Sequence, residues 1–175
     1  HHQAGRLDQA LALYRMVLSQ VPSHADALHL TGLVSHQQGR HDEAMIQIGE
    51  AISNRSDIAS YHNNFGAACR SNGEIGRAVD AFRKAVKLQP HFSSAWSNLL
   101  SSLSELGDHQ AVSDTLDQWV HQTDGGVPAL EHRAAHRYAS GEIRAAIEDQ
   151  PRLAKKQPTA HKPCLQVGIL AHEAG

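Results

Sequence analysis

A spacing of 34 residues governs this chain. Sliding residues 61–90 back by that step places Gly66, Gly73, Ala78 and Ala85 on Gly32, Gly39, Ala44 and Ala51. Sliding them forward places Asn64, Gly73 and Val86 on Asn98, Gly107 and Val120. Two steps back, Gly73, Ala78, Phe82 and Pro90 meet Gly5, Ala10, Tyr14 and Pro22. A fixed period of this size means stacked supersecondary units, each too small to bury its own apolar face. The expected fold class is therefore all-α, a superhelical stack of hairpins rather than a globule with one core.

Within the central unit, Tyr61, Phe65, Ala68 and Cys69 recur at helical spacing and form one apolar stripe. Asn72-Gly73 ends that helix, because glycine accepts the left-handed closing conformation. A second helix is predicted from about Ile75 to Leu88, with Ala78, Val79, Phe82, Ala85 and Val86 inward. Pro90 stops it, and the residue before a proline is pushed out of helical backbone. Gly66 and Ala78 fall where the paired helices cross, and only minimal side chains permit close approach there. Tyr14 and Phe82 are the large residues that fill the space beside them.

These residues identify the resemblance: the chain is similar to the tetratricopeptide repeat (TPR) family from its first residue to about Gln122. The units are a partial one at 1–24, then 25–58 and 59–92, and a divergent one at 93–122. In the second, Ser56 stands where neighbours have proline, so a looser junction is expected. In the fourth, Leu100 replaces the crossing glycine, Val112 the crossing alanine and Trp119 a small alanine, and the repeat signal ends. Residues 123–150 read as two helices covering the end of the stack, the first opened by Pro128 and stopped by Gly141. Residues 151–163 read as a Lys/Pro/Gln-rich linker, and 165–170 (LQVGIL) as a short strand-like segment lacking a partner.

The resemblance implies that the first helix of each pair lines a concave groove for a peptide or partner protein. Mapped by register, the groove candidates are Asp26, His29 and His36, then Asn63, Asn64 and Arg70, then Ser97, Asn98 and Ser101. Asn64 and Asn98, one period apart, would form an asparagine ladder that holds a peptide backbone, since each amide both donates and accepts. Alternatively these amides only bond to neighbouring helices or water. The Lys/Arg clamp by which some TPR domains hold a terminal carboxylate is missing, because Asp26, Ser60 and Ser94 occupy its places. The half-unit at the start leaves an apolar edge through which self-association is expected.

Other function classes are disfavoured. With 16 Lys+Arg against 18 Asp+Glu and a net charge of −2, the chain has no basic footprint for nucleic acid. No apolar run approaches the ~20 residues that span a bilayer, and Cys69 and Cys164 lie far apart, which suggests a reduced, cytoplasmic setting. His132 and His136 have the i, i+4 spacing of a metal pair, but nearby ligands are missing and a solvated polar face is the expected reading. No nucleophilic turn or phosphate loop occurs, so no catalytic residue, metal or cofactor is assigned. A second possibility remains. SNLLSSLSELGD (97–108), the helical bridge, the linker and LQVGIL together resemble the junction in bacterial proteins similar to O-linked N-acetylglucosamine transferases. That resemblance implies a substrate-recruiting arm of a larger enzyme.

Overall fold

Glycine sets the turns. Gly39, Gly73, Gly107 and Gly141, each one period from the next, hold φ of +78°, +81°, +72° and +80°, a backbone state that a Cβ resists. Across three of these turns a backbone N–H reaches back to close the preceding helix: Arg40 to Ser35 O (2.9 Å), Glu74 to Cys69 O (2.9 Å) and Glu142 to Arg137 O (2.8 Å).

The computed structural model describes residues 2–156 and among them holds nine helices. First comes α1 (His2–Gln20). In register with the repeat, the first helices of the following 34-residue units are α2 (Ala25–Gln37), α4 (Ala59–Ser71), α6 (Ser93–Glu105) and α8 (Val127–Ala139). The second helices are α3 (His41–Asn54), α5 (Ile75–Leu88), α7 (His109–Gln122) and α9 (Ile143–Lys156). From α2 onward every boundary recurs at the 34-residue step, including those of α8 and α9. Helical-hairpin length therefore persists past Gln122, where the sequence pattern fades.

Two elements differ from expectation. α1 runs through Gly5 without a turn; a glycine inside a helix costs only about 1 kcal/mol and does not break it unaided. α9 runs through Pro151 to Lys156, so residues 151–156 are helix rather than linker. Pro151 is exposed. The strand-like segment at 165–170 and the rest of the expected linker lie outside the described residues.

The described residues fall into two compact units that meet in sequence at Gly107/Asp108. In the first, α1–α6, the crossings are as tight as the small residues require. A Cβ on Gly32 would stand 2.5 Å from Ile48 Cγ1, and one on Gly66 would stand 2.7 Å from the Phe82 ring. Ala44, Ala78, Ile48 and Phe82 are fully buried. Successive hairpins are joined by shared apolar clusters, such as Ala25, Leu28, Ala51 and Tyr61 with Leu18, Ile52 and Ile58 around them. The junctions are also tied by equivalent bonds: Trp96 Nε1–H donates to the Pro90 carbonyl at 2.8 Å. One period earlier, His62 Nε2 lies 2.9 Å from the Ser56 carbonyl and must donate to it. The junction that lacks proline is thus fastened by a histidine.

In the second unit, α7–α9, Trp119, Leu116, Leu130, Ala134 and Ala146 are buried. Ala134 and Ala146 occupy the crossing positions of Gly66 and Ala78, two periods on. The positions of Phe65, Cys69 and Ala81 hold Arg133, Arg137 and Asp149. Asp149, 1% exposed, accepts from Arg133 Nε at 3.0 Å and Arg137 Nη1 at 3.2 Å. Asp117 takes the outer nitrogens at 2.9 and 3.2 Å. Burial works against the Arg133 charge, yet the bonds to Asp149 and Asp117 hold its pKa above the ordinary value. Here ion pairs occupy the core space that apolar side chains fill elsewhere.

Candidate partner-binding face

The first helices α2, α4 and α6 bring their polar side chains together through contacts 35 residues apart, one more than the period. Tyr61 Oη donates to Asp26 Oδ1, Asn64 Nδ2 meets His29 Nε2 at 2.9 Å, and Asn98 Nδ2 donates to Asn63 Oδ1 at 3.0 Å. Arg70 lies 4.0 Å from Glu105 in the same relation. Residues one period apart are equivalent, but the side chain that a helix meets on its neighbour is one position further along. The direct Asn64–Asn98 rung expected from the period is therefore replaced: Asn98 reaches Asn63, and Asn63 Nδ2 donates to Asn64 Oδ1 at 3.2 Å. The result is one hydrogen-bonded line across three helices, Asn98–Asn63–Asn64–His29.

The line is well supported. His29, 8% exposed, stacks on Tyr61 with ring centroids 4.3 Å apart. Burial lowers the His29 pKa below its usual value, with nearby Asp26 opposing. The Nε2 that accepts from Asn64 must be unprotonated, which this shift favours. Burial and the bond to Asp26 push Tyr61 up to about 12. The apolar stripe placed Tyr61 in the core, and its ring is there, yet its hydroxyl fixes the Asp26 carboxylate on the candidate face. A phenol within an otherwise apolar stripe was the available signal.

His36 stands apart from this line, half-buried with its Nδ1 3.1 Å from His41 Nδ1 on α3. Burial and then His41 lower its pKa. Asn98 Oδ1 and the hydroxyls of Ser97 and Ser101 have no bonded partner among the described residues. Arg70 is half-buried, and its contact to Glu105 is long. The candidates thus divide into a locked inner set (His29, Asn63, Asn64) and an outer set (Asp26, Arg70, Ser97, Asn98, Ser101) with capacity to spare.

Chemically this face can donate, accept and carry charge. Ser102 Oγ, buried on α6, donates to the Asn98 carbonyl at 2.9 Å. No group of three or more His, Cys, Asp or Glu among the described residues could hold a metal ion. His132 Nδ1 lies 2.8 Å from the Pro128 carbonyl, and its ring is tilted against Trp119. No described helix is long and apolar enough to cross a membrane.

Hairpins of one length, closed by left-handed glycines and nested on small residues, define a helical-repeat protein of the TPR architecture. Models of the tetratricopeptide repeat match residues 2–59 and 59–92, and the chain belongs to that family. Among curated relatives, Protein FlbA of Caulobacter vibrioides is 22% identical over 84% of this chain and 25% of its own length. The peroxisomal targeting signal receptor of Candida albicans is 29% identical over 65% and 20%. The chain spans a quarter or less of the curated relatives it matches. Of solved structures, MamA superposes with a TM-score of 0.69 at 18% identity, covering 90% of this chain and 92% of that one. YrrB, described as a TPR protein with an unusual peptide-binding site, gives 0.63 at 18% identity over 99% and 87%. An O-GlcNAc transferase of Thermobaculum terrenum gives 0.57 at 30% identity over 69% of this chain and 24% of its own. Together these findings support a protein-interaction module.

Proposed function

We propose that the first unit binds a peptide or a segment of a partner protein along the groove formed by α2, α4 and α6. The observation that carries this reading is the line Asn98–Asn63–Asn64–His29. It holds the inner amides in place while leaving Asn98 Oδ1 and the hydroxyls of Ser97 and Ser101 unspent. Preorganised donors and acceptors lose little entropy when a ligand arrives. The receptor relative and the peptide-binding site described for YrrB favour the same use of the fold.

Peptides selected from a displayed random library on the full chain and measured by calorimetry test the proposal. The double substitution Asn64→Ala, Asn98→Ala should weaken binding about tenfold, the equivalent of one or two hydrogen bonds. Unchanged affinity removes this face from consideration. A second reading, the substrate-recruiting arm of a glycosyltransferase-like enzyme, is favoured by the 30% identity to the O-GlcNAc transferase. It requires alternating strands and helices encoded after Gly175; a stop codon there excludes it. Self-association through α1 has its own support. Leu13 and Met16, 61% and 66% exposed, share a helix face with Val17. A light-scattering mass that stays monomeric at rising concentration refutes it.

A further inference from the structure

Gly49 has no internal reason to be glycine. It lies inside α3, where the residue costs about 1 kcal/mol relative to alanine, and it is not among the residues with positive φ. A Cβ there would meet only Phe65 Cε2, at an ordinary 3.7 Å, unlike the collisions at Gly32 and Gly66. One period to either side the equivalent residues are Arg15 and Arg83. Missing a long side chain there, the surface opens into a groove of about 330 Å³ lined from α3, α4 and α5. Ile52, Phe65 and Ala81 form its apolar lining, and Arg77, Asp80 and Lys84 its charged rim.

The surroundings specify what would fit. Ile46, about one turn from Gly49 along α3, is 63% exposed. Arg77 stands over the Phe65 ring, 5.4 Å from its centroid, with its charge already taken by Glu74. Asp80 is paired with Arg83 at 3.8 Å. Lys84 has no ion-pair partner among the described residues, so the unspent charge at the rim is positive. The groove is lined by α3 and α5 together with His62 and Phe65 of α4, and by none of the candidate residues of the α2–α4–α6 face.

We propose that the α3–α5 groove over Gly49 is a second docking site, for a partner segment that offers an apolar side chain beside a carboxylate. The apolar group lies on Phe65 and Ile52, passing close to the backbone that Gly49 leaves bare. The carboxylate pairs with Lys84.

Peptides enriched from a displayed random library on the full chain are measured by fluorescence polarisation against wild type, Gly49→Arg, Lys84→Glu and Asn98→Ala. Gly49→Arg restores the residue of the flanking repeats and should melt no lower than wild type, since arginine is the better helix former. A class of peptides sharing an apolar residue next to Asp or Glu should lose about tenfold in affinity to Gly49→Arg. The same peptides should weaken with Lys84→Glu and ignore Asn98→Ala. Changing the peptide acid to its amide should abolish the difference between wild type and Lys84→Glu. The proposal is overturned if no such class is enriched, or if its members bind Gly49→Arg and Lys84→Glu as they bind wild type. Peptides sensitive only to Asn98→Ala overturn it while leaving the α2–α4–α6 proposal standing.

Discussion

Replacing Gly66 by alanine and Gly49 by alanine should shift stability in opposite directions. Both are helix-interior glycines, so both gain about 0.5–1 kcal/mol in backbone terms on becoming alanine. At Gly49 nothing offsets the gain, because the new methyl meets one ring carbon at van der Waals distance. At Gly66 three atoms of the Phe82 ring lie 2.7–2.9 Å from the new Cβ. That ring is fully buried and has no solvent to move into. Overpacking of this kind costs about 1–3 kcal/mol, which leaves a net loss of up to about 2.5 kcal/mol once the backbone gain is subtracted. Urea unfolding followed by circular dichroism should show a lower midpoint for Gly66→Ala and a higher one for Gly49→Ala. In a Phe82→Leu background the Gly66→Ala penalty should shrink, with coupling of about 1 kcal/mol. If Gly66→Ala stabilises the chain as much as Gly49→Ala does, close approach of α4 and α5 is not what the glycine is for.

Three further outcomes follow from the same structure. Asp149→Ala strands two arginines in the second unit and should cost about 3 kcal/mol; a loss below about 1 kcal/mol in urea unfolding would show that the network contributes little. Tyr61, raised in the folded state from 10.0 to about 12, favours the protonated phenol. Its contribution is intact below pH 10 and disappears between pH 10 and 12, and Tyr61→Phe should flatten that alkaline decline. His29 and His36 are lowered below 6.5 by burial, so the fold favours neutral imidazoles. Their contribution is present above pH 6.5 and drains as pH falls through the lowered values. Thermal melts that do not change on acidification below 6.5 would contradict this.

Much of the fold is legible in the sequence because the glycines do two physically distinct jobs. Gly39, Gly73 and Gly107 need the left-handed turn, while Gly32 and Gly66 need the missing Cβ. Both needs recur with the period. The last hairpin was harder to see. Gly141, Ala134 and Ala146 keep the spacing, but Arg133, Arg137 and Asp149 stand where Phe65, Cys69 and Ala81 make the apolar stripe. Each charge alone argues against a core position; only their mutual pairing, which is not visible along the chain, allows them there. The sequence put Asp26, His29, Asn63, Asn64, Arg70 and Asn98 on successive first helices but did not show which of them bond to which, and His36 turns instead to His41. Equivalence runs at 34 residues and contact at 35, so the sequence pointed to Asn64 opposite Asn98, whereas the bond falls to Asn63. Tyr61 was hidden for a related reason, since a ring that completes a core and a hydroxyl that holds Asp26 look the same as one letter.

The commensurate turns make residues 59–92 an exchangeable cassette. A second copy spliced in after Phe92 would bring its His62 to the Pro90 carbonyl before it and offer its own Pro90 carbonyl to Trp96. It would also set its Asn64 beside the original Asn63, adding a rung to the amide line. This chain can therefore be lengthened by whole turns of its own ruler, and the face proposed to bind a partner would grow with it.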